Sequence, residues 1–298
     1  MAADQKNRRD VLKTLAGIAG LSLAAGIDSR LSAAENLMPS GLRGKVNHSV
    51  CRWCYNDVSL EDLCKAAVEI GLDSIELIGV KDFPVIKQYG LSCAMVSGGG
   101  PNYGITNGWN KKENHAGMIE SFKVAIDQTS DAGFSNLIVF SGNREEGLSD
   151  EQGLENCAEG LKQMMSYAEK KKVTLVMELL NSKVNHPNYM CDHTAWGVEL
   201  CKRIGSDNFK LLYDIYHMQI MEGDVIRTIQ ESHPYIAHYH TGGVPGRNEI
   251  DESQELYYPA IVKAILDTGF KGHIAQEFIP KRADKINSLK QGVTICDL

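Results

Sequence analysis

The feature that most constrains this chain is an alternation of short apolar runs with longer amphipathic segments, which recurs eight times after residue 45. The runs are rich in β-branched and other apolar residues, as strands buried on both faces are. The longer segments carry one apolar stripe among charged residues, which is typical of helices that cover a sheet. Eight such units in roughly 260 residues match the size of a closed (β/α)₈ TIM barrel.

The strand and helix candidates follow one another along the chain. The predicted strands span 46–50, 74–77, 92–96, 137–140, 174–178, 210–213, 236–240 and 273–277. The predicted helices span 60–70, 118–132, 154–171, 196–204, 225–232 and 257–268. A doubly wound open sheet is the competing α/β fold, but Gly98-Gly99-Gly100 lacks the glycine spacing and the downstream acidic residue of a dinucleotide-binding turn. We therefore predict the closed barrel.

Residues 1–34 differ in kind from the rest of the chain. The pair Arg8-Arg9 is followed by the weakly apolar run 14–27 and then by Ser32-Ala33-Ala34. This order is typical of a twin-arginine export signal with a small-residue cleavage site. The apolar run is shorter than the ~20 residues that span a bilayer, so we predict no stable membrane anchor. We expect an export signal over 1–34, one catalytic barrel over 35–298, and a periplasmic location.

Charge and cysteine usage narrow the classes of partner. The whole chain has a formal charge of −7, and because residues 1–34 hold five basic and three acidic side chains, the remainder carries −9. This acidic balance argues against a nucleic-acid partner. The eight cysteines lack the spacing of a zinc ribbon or a disulfide scaffold. We interpret the close pair Cys51 and Cys54 as small core residues, and whether they are bridged stays open.

Four consecutive predicted strands lead into a carboxylate or an imidazole. These residues are Glu178, Asp214, His240 and Glu277. The carboxyl ends of barrel strands form the active site in enzymes of this fold. Three carboxylates in a low-dielectric mouth would repel one another unless a cation lay among them. The donor set suits one divalent metal ion, Mn²⁺ or Mg²⁺ first and Co²⁺ or Zn²⁺ as alternatives.

These residues and their neighbours resemble the xylose isomerase-like barrels of the hydroxypyruvate isomerase and tagatose 3-epimerase branch. Asp214-Ile-Tyr-His217 is similar to the branch's Asp-x-x-His signature. His238-Tyr-His240 followed by Pro245-Gly246-Arg247 is similar to its His-x-His or His-x-Gln with a trailing Pro-Gly-Arg. The likeness spans residues 46–280. A His in place of Gln at position 240 favours the epimerase side.

The resemblance implies a metal-dependent isomerase of carbohydrate metabolism that acts through an enediolate. Glu178 and Glu277 would be both metal ligands and the catalytic acid/base pair. The substrate would be a small sugar or a hydroxy-keto acid. The enzyme would convert hydroxypyruvate to tartronate semialdehyde or act on a related small sugar. A ketose or keto-sugar 3-epimerase is the alternative.

Two rival classes share the fold. A metal-dependent phosphodiesterase acting on DNA is disfavoured by the acidic charge. A non-catalytic sugar-binding barrel is disfavoured because binding alone does not require two potential bases. Whether the chain forms a homo-oligomer stays open.

Several side chains near the strand ends are expected to contact the substrate. We predict that His217 and Arg247 bind substrate oxygens, since an arginine fork suits a carboxylate or a developing oxyanion. Trp53 and Tyr55 are expected to form an apolar wall over the substrate. Each of these residues also has a structural interpretation, as a helix cap, a surface cation or core packing.

Five further residues also have predicted roles. Glu76 ends the second predicted strand and is expected to contact substrate or support another residue. Asn143-Arg144 is expected to supply a second anion contact, and Asn181 to orient Glu178. We expect His238 to face away from His240 and to lie in the barrel wall.

Overall fold

A seven-stranded parallel sheet forms the centre of the molecule, in a computed structural model that describes residues 41–298. The predicted export signal lies outside the described residues. The strands are β1 (Asn47–Cys51), β2 (Ser74–Glu76), β3 (Asn136–Val139), β4 (Thr174–Glu178), β5 (Phe209–Asp214), β6 (Ile236–Thr241) and β7 (His273–Gln276). Their order in the sheet is β2-β1-β7-β6-β5-β4-β3, which leaves β2 and β3 at its two edges.

The segment 92–96, hereafter the closing segment, lies between these two edges. Parallel bridges join Ser92 to Ser74 and Val96 to Ile78 on the β2 side, and Val96 to Leu137 on the β3 side. The closed barrel of eight units predicted from the alternation is therefore confirmed, and the chain has the (β/α)₈ architecture.

The prediction of a continuous third strand over 92–96 is wrong in detail. The backbone N–H of Ala94 donates to Ser74 Oγ at 2.8 Å, and its carbonyl accepts from Asn136 Nδ2 at 3.0 Å. The backbone N–H and C=O groups of Ala94 are thus bonded to side chains, and not to the backbone of a neighbouring strand. The segment consequently pairs through separate bridges on each side of Ala94.

Nine α-helices surround the sheet in the described part of the chain. They are α1 (Leu60–Ile70), α2 (Phe83–Gln88), α3 (His115–Asp131), α4 (Asp150–Lys171), α5 (Thr194–Ile204), α6 (Ile215–Met221), α7 (Val225–Ser232), α8 (Tyr258–Asp267) and α9 (Lys285–Cys296). All six predicted helices are present. The helices α2, α6 and α9 were not predicted. None of the described helices is long and apolar enough to cross a bilayer.

The helix ends show why the periodic segments fold where they do. Ser59 and Ser149 cap the first turns of α1 and α4, accepting hydrogen bonds from Asp62 N and Gln152 N. Gly71 ends α1 in the left-handed conformation, with φ 99°. The helices between these ends pack their apolar faces on the sheet. The acidic residues of the sheet lie at the strand ends, which the helices do not cover.

Candidate metal centre

Four acidic or imidazole side chains converge at the carboxyl ends of β4 to β7. Glu178 ends β4, Asp214 ends β5, His240 lies in β6, and Glu277 follows β7 directly. One ligand atom from each lies within 4.8 Å of the others, and all four residues are buried. The structure thus brings together the four residues that the sequence proposed as metal ligands.

Two atoms of this cluster have no hydrogen-bond partner although they are buried. They are Glu178 Oε1 and His240 Nδ1. His240 Nδ1 lies 2.6 Å from Glu277 Oε2 and 3.4 Å from Glu178 Oε1, but is not aligned for a hydrogen bond. Unpartnered buried polar atoms are rare and call for an explanation. Three carboxylates, an imidazole and these free lone pairs fit a divalent cation.

Arg247 supplies positive charge among these carboxylates. Its guanidinium Nη2 donates to Asp214 Oδ2 at 2.9 Å and also to Glu277 Oε2. The guanidinium lies 5.2 Å from the ring centroids of both Trp53 and Tyr216. Arg247 has a left-handed backbone, with φ 59°, directly after Gly246. This turn aims a long side chain inward, where it acts as a counter-ion.

His217 and Arg247 present two donors to the same space. His217 Nδ1 accepts from the backbone N–H of Asn181 at 3.1 Å and faces the Asn181 amide nitrogen at 2.6 Å. That amide is oriented by its oxygen, which accepts from the N–H groups of Val184 and Asn185. The proton of the neutral ring therefore lies on Nε2, which is 2.8 Å from Arg247 Nη1. Two N–H donors that face each other are suited to share an oxygen acceptor.

Asn181 therefore does not orient Glu178, and that prediction is wrong. The loop after β4 turns the Asn181 amide towards α6, where it contacts His217. Burial lowers the pKa of His217 well below its ordinary value, and the charge of Arg247 adds to this effect.

The two glutamates have opposite electrostatic environments. Burial raises the pKa of Glu178, and the neighbouring Glu277 raises it further. Burial also opposes ionisation of Glu277, but the charge of Arg247, together with the adjacent His240 ring, outweighs it and holds that pKa well below its ordinary range. In the metal-free chain the two carboxyls thus differ in their tendency to hold a proton.

Glu76 lies beneath the cluster and joins two histidines of β6. Its Oε1 atom is 2.8 Å from both His238 Nε2 and His240 Nε2, and all three side chains are fully buried. The expectation that His238 faces away from His240 is wrong, because residues two apart on a strand point to the same face. The expectation that Glu76 supports another residue matches these contacts.

A cavity of about 450 Å³ opens beside the cluster. Its charged lining residues are Glu178, Arg247 and Glu277, and its apolar wall includes Leu77, Ile105, Ile138, Phe140 and Leu180. Trp53 also lines it, is 37% exposed, and donates from Nε1 to Glu277 Oε1 at 2.7 Å. Tyr55 is fully buried in the core instead, so its predicted place in the wall is wrong. His186 lines the cavity and was not predicted, since its loop has no motif.

Arg144 does not line this cavity. Its guanidinium is shared between Asp150, at 2.6 Å from Nε, and Asp192, at 3.0 Å from Nη1. The expectation of a second anion contact there is wrong, because two carboxylates already pair with this cation. Cys51 and Cys54 are buried and unbridged.

The chain matches the xylose isomerase-like TIM barrel family over residues 64–293, and it belongs to that family. It is 32% identical over 114 residues to a human protein named putative hydroxypyruvate isomerase, covering 38% of this chain and 41% of that protein. It is 35% identical over 109 residues to the 2-oxo-tetronate isomerase of Cupriavidus necator, covering 37% of this chain and 41% of that protein. The chain thus spans about four tenths of the length of these curated relatives.

The fold also has close counterparts among solved structures. A family 2 AP endonuclease from Brucella melitensis superposes with a TM-score of 0.72 at 22% identity, covering 84% of this chain and 98% of that one. A 3-keto-D-glucoside 4-epimerase from E. coli superposes with a TM-score of 0.70 at 15% identity and the same coverage. At these identities the likeness shows the fold.

Proposed function

We propose that this chain is a metal-dependent isomerase that moves a proton between carbons of a small α-hydroxy carbonyl compound through an enediolate. The observation that carries the proposal is the buried convergence of Glu178, Asp214, His240 and Glu277, with unpartnered ligand atoms, at the mouth of a cavity. The names of the curated relatives, hydroxypyruvate isomerase and 2-oxo-tetronate isomerase, support the same class of reaction.

The four converging residues would hold the ion, Mn²⁺ or Mg²⁺ first. When bound, a divalent ion supplies a Lewis acid for the carbonyl and hydroxyl oxygens of a substrate. Glu178 and Glu277 both line the cavity, so each carboxylate reaches a carbon held there. One takes the proton beside the carbonyl and the other returns a proton, the division of labour expected of a general base and a general acid.

The remaining cavity residues, together with the buried His217 beside Arg247, would bind and shield the substrate. His217 Nε2 and Arg247 Nη1 would donate to one substrate oxygen, which resolves the contact between two donors. The apolar wall formed by Leu77, Ile138 and Phe140 excludes water from the carbanionic carbon. Trp53 covers the opening and holds Glu277 through its indole N–H.

A ketose or keto-sugar 3-epimerase is the second candidate, and a specific observation favours it. Of the described residues that line the cavity, Arg247 is the only Lys or Arg, and it is already paired with two carboxylates. Arg144 is paired elsewhere. A neutral sugar needs no further cation, whereas a keto acid must draw Arg247 from its present partners.

Deuterium uptake from heavy water, followed by NMR, tests the proposal. Metal-loaded protein is incubated with hydroxypyruvate, tartronate semialdehyde, several ketoses and 3-keto sugars. We expect exchange at a carbon beside a carbonyl, lost on chelation. Exchange of the keto acids alone would support the isomerase, and exchange of neutral sugars alone the epimerase. Ligand binding by calorimetry without exchange of any bound compound would contradict the enzyme and support a sugar-binding barrel.

An export location is proposed on the sequence of residues 1–34 alone. The test is the location of a reporter fused to the full chain, compared with a variant in which Arg8 and Arg9 are both replaced by Lys. We expect export of the first and retention of the second. Equal location of both fusions would contradict a twin-arginine signal.

A further inference from the structure

We infer that Glu76 is a positioning residue that fixes the tautomer of His240, so that Nδ1 keeps a free lone pair for the metal ion. The inference rests on the proposed function in that it assumes a metal at the cluster. It concerns a residue outside that cluster. Glu76 does not line the cavity and reaches the ligands only through His240.

The two ring nitrogens of His240 face different surroundings. Nδ1 lies at the cluster, 2.6 Å from Glu277 Oε2, with no hydrogen-bond partner. Nε2 lies 2.8 Å from Glu76 Oε1. A carboxylate can only accept a hydrogen bond, so the contact with Glu76 places the proton of the neutral ring on Nε2. Nδ1 is left unprotonated, which is the state that a metal ligand requires.

His238 holds Glu76 in place for this role. Its Nε2 atom is 2.8 Å from the same oxygen, Oε1, so two imidazoles converge on one atom. The thiol of Cys51 contacts that oxygen as well, at 3.8 Å. A fully buried carboxylate is costly unless such donors compensate it. The Glu76 side chain is therefore fixed by groups that do not touch the cavity.

A second metal site formed by Cys51, Glu76 and His240 is the competing explanation, since their ligand atoms also lie within 4.8 Å of one another. The distances argue against it. Glu76 Oε1 and His240 Nε2 are in direct hydrogen-bond contact, so His240 offers no free nitrogen to an ion there. Glu76 Oε2 is unpartnered, but the free nitrogen of the ring, Nδ1, lies at the four-residue cluster together with the unpartnered Glu178 Oε1. We assign Glu76 to positioning for that reason.

The test compares wild-type protein with Glu76→Gln and with Ser74→Ala as matched control. Ser74 lies on the same strand, is fully buried, and bonds Ser49 Oγ at 2.9 Å without touching His240. A glutamine in place of Glu76 has a similar shape but no charge, and its amide can also donate, which stabilises the other tautomer of His240. Mn²⁺ binding is measured by calorimetry, and the His240 tautomer by two-bond ¹H–¹⁵N NMR of metal-free protein.

We expect wild type and Ser74→Ala to bind one Mn²⁺ with equal affinity, and Glu76→Gln to bind it about 10–100-fold more weakly, as loss of such outer contacts does. The wild-type spectrum should show His240 protonated on Nε2, and the Glu76→Gln spectrum a gain of the Nδ1-protonated form. A purely structural role would lower the melting temperature without either change.

The outcomes separate two failures. Wild-type protein that binds no divalent ion contradicts the proposed function. Wild-type protein that binds one ion while Glu76→Gln binds it equally well overturns the role of Glu76 alone. A neutral wild-type His240 that is protonated on Nδ1 and not on Nε2 overturns it even if the variant does not fold. Two ions per chain, one of them lost in both Glu76→Gln and Cys51→Ser, would make Glu76 a ligand instead.

Discussion

Trp53 Nε1 donates a hydrogen bond to Glu277 Oε1 at 2.7 Å, while the other oxygen of that carboxylate faces Arg247 and His240. The two oxygens of Glu277 therefore have separate tasks. One is fixed by an indole at the opening of the cavity, and the other lies at the ligand cluster. A residue of the turn after β1 thus sets the orientation of a proposed catalytic group that follows β7.

Replacing Trp53 with Phe removes that hydrogen bond and keeps an aromatic ring. We expect kcat to fall about 10-fold, since a hydrogen bond to a charged group contributes about 1.5–3 kcal/mol and part of it is regained from water. The free energy of unfolding should change little, because Trp53 is 37% exposed. Steady-state kinetics and thermal unfolding measure the two effects. An unchanged kcat would show that the indole does not orient Glu277.

Replacing Glu178 or Glu277 with Gln tests the acid/base pair. We expect kcat to fall about 10²–10⁴-fold in each variant, the range typical of general acid–base groups. Glu252→Gln, an exposed residue away from the cavity, is the control and should keep full activity. Circular dichroism and thermal unfolding establish that the variants fold. Full turnover by either variant would contradict the two-base mechanism.

Removing the metal should abolish turnover and lower stability together. Of the three buried carboxylates, Asp214 and Glu277 then have Arg247 as their cationic partner. Adding back Mn²⁺ at about 100 times its dissociation constant should stabilise the fold by about 2.7 kcal/mol. Activity and melting temperature are followed as EDTA and then Mn²⁺ are added. Turnover that survives exhaustive chelation, verified by elemental analysis, would exclude a metal-dependent mechanism.

Replacing Arg247 with Met leaves buried carboxylates without their cation. Loss of one partner from a buried ion pair typically costs about 3–5 kcal/mol. We expect that destabilisation in metal-free protein and a larger gain in melting temperature on adding Mn²⁺ than in wild type. Thermal unfolding of both proteins, with and without the ion, measures the difference. An equal gain in the two proteins would show that Arg247 does not substitute for the ion's charge.

The Arg144–Asp192 pair predicts a pH dependence of stability away from the cavity. Burial opposes the charge of Asp192, but bonds from Arg144, Ser182 and His193 outweigh it and lower its pKa. A depressed pKa stabilises the fold above the unfolded-state value of about 3.9, and this stabilisation is lost as the pH falls through the folded value. The difference in unfolding free energy between wild type and Asp192→Asn should be constant near pH 6 and shrink below about pH 4.

Denaturant unfolding from pH 3 to 7 measures that difference. The KM of Asp192→Asn should match the wild-type value, because neither residue of the pair lines the cavity. A gap that grows as the pH falls would contradict the assigned direction of the pKa shift.

The sequence was sufficient for the barrel and for the four converging residues because both depend on local signals. A strand that ends in Glu178 or Asp214 must deliver that side chain to the strand-end face, whatever the loops do. The role of Glu76 was also within reach, since His238 and His240 are two apart and so share a face.

Other contacts depend on loop geometry that no periodicity encodes. Asn181 turns towards His217 through the loop after β4, and Arg144 meets Asp192 through two separate connections. Tyr55 lies two residues after Trp53, yet a single 3₁₀ turn sends one ring into the core and the other to the opening. Such outcomes require the tertiary fold.

The closing segment is where strand pairing in the barrel is least continuous, a place called the seam here. Elsewhere neighbouring strands pair through runs of three or four matched residues, but the closing segment pairs through isolated bridges on either side of Ala94. Backbone amides there should exchange with solvent sooner than those of β4 and β5. Ser97 and Gly98 follow the seam directly and line the cavity. We therefore expect local opening of the barrel to begin beside the cavity. A small opening there would admit a substrate, while the strands on the opposite side keep the four proposed metal-ligating residues rigid.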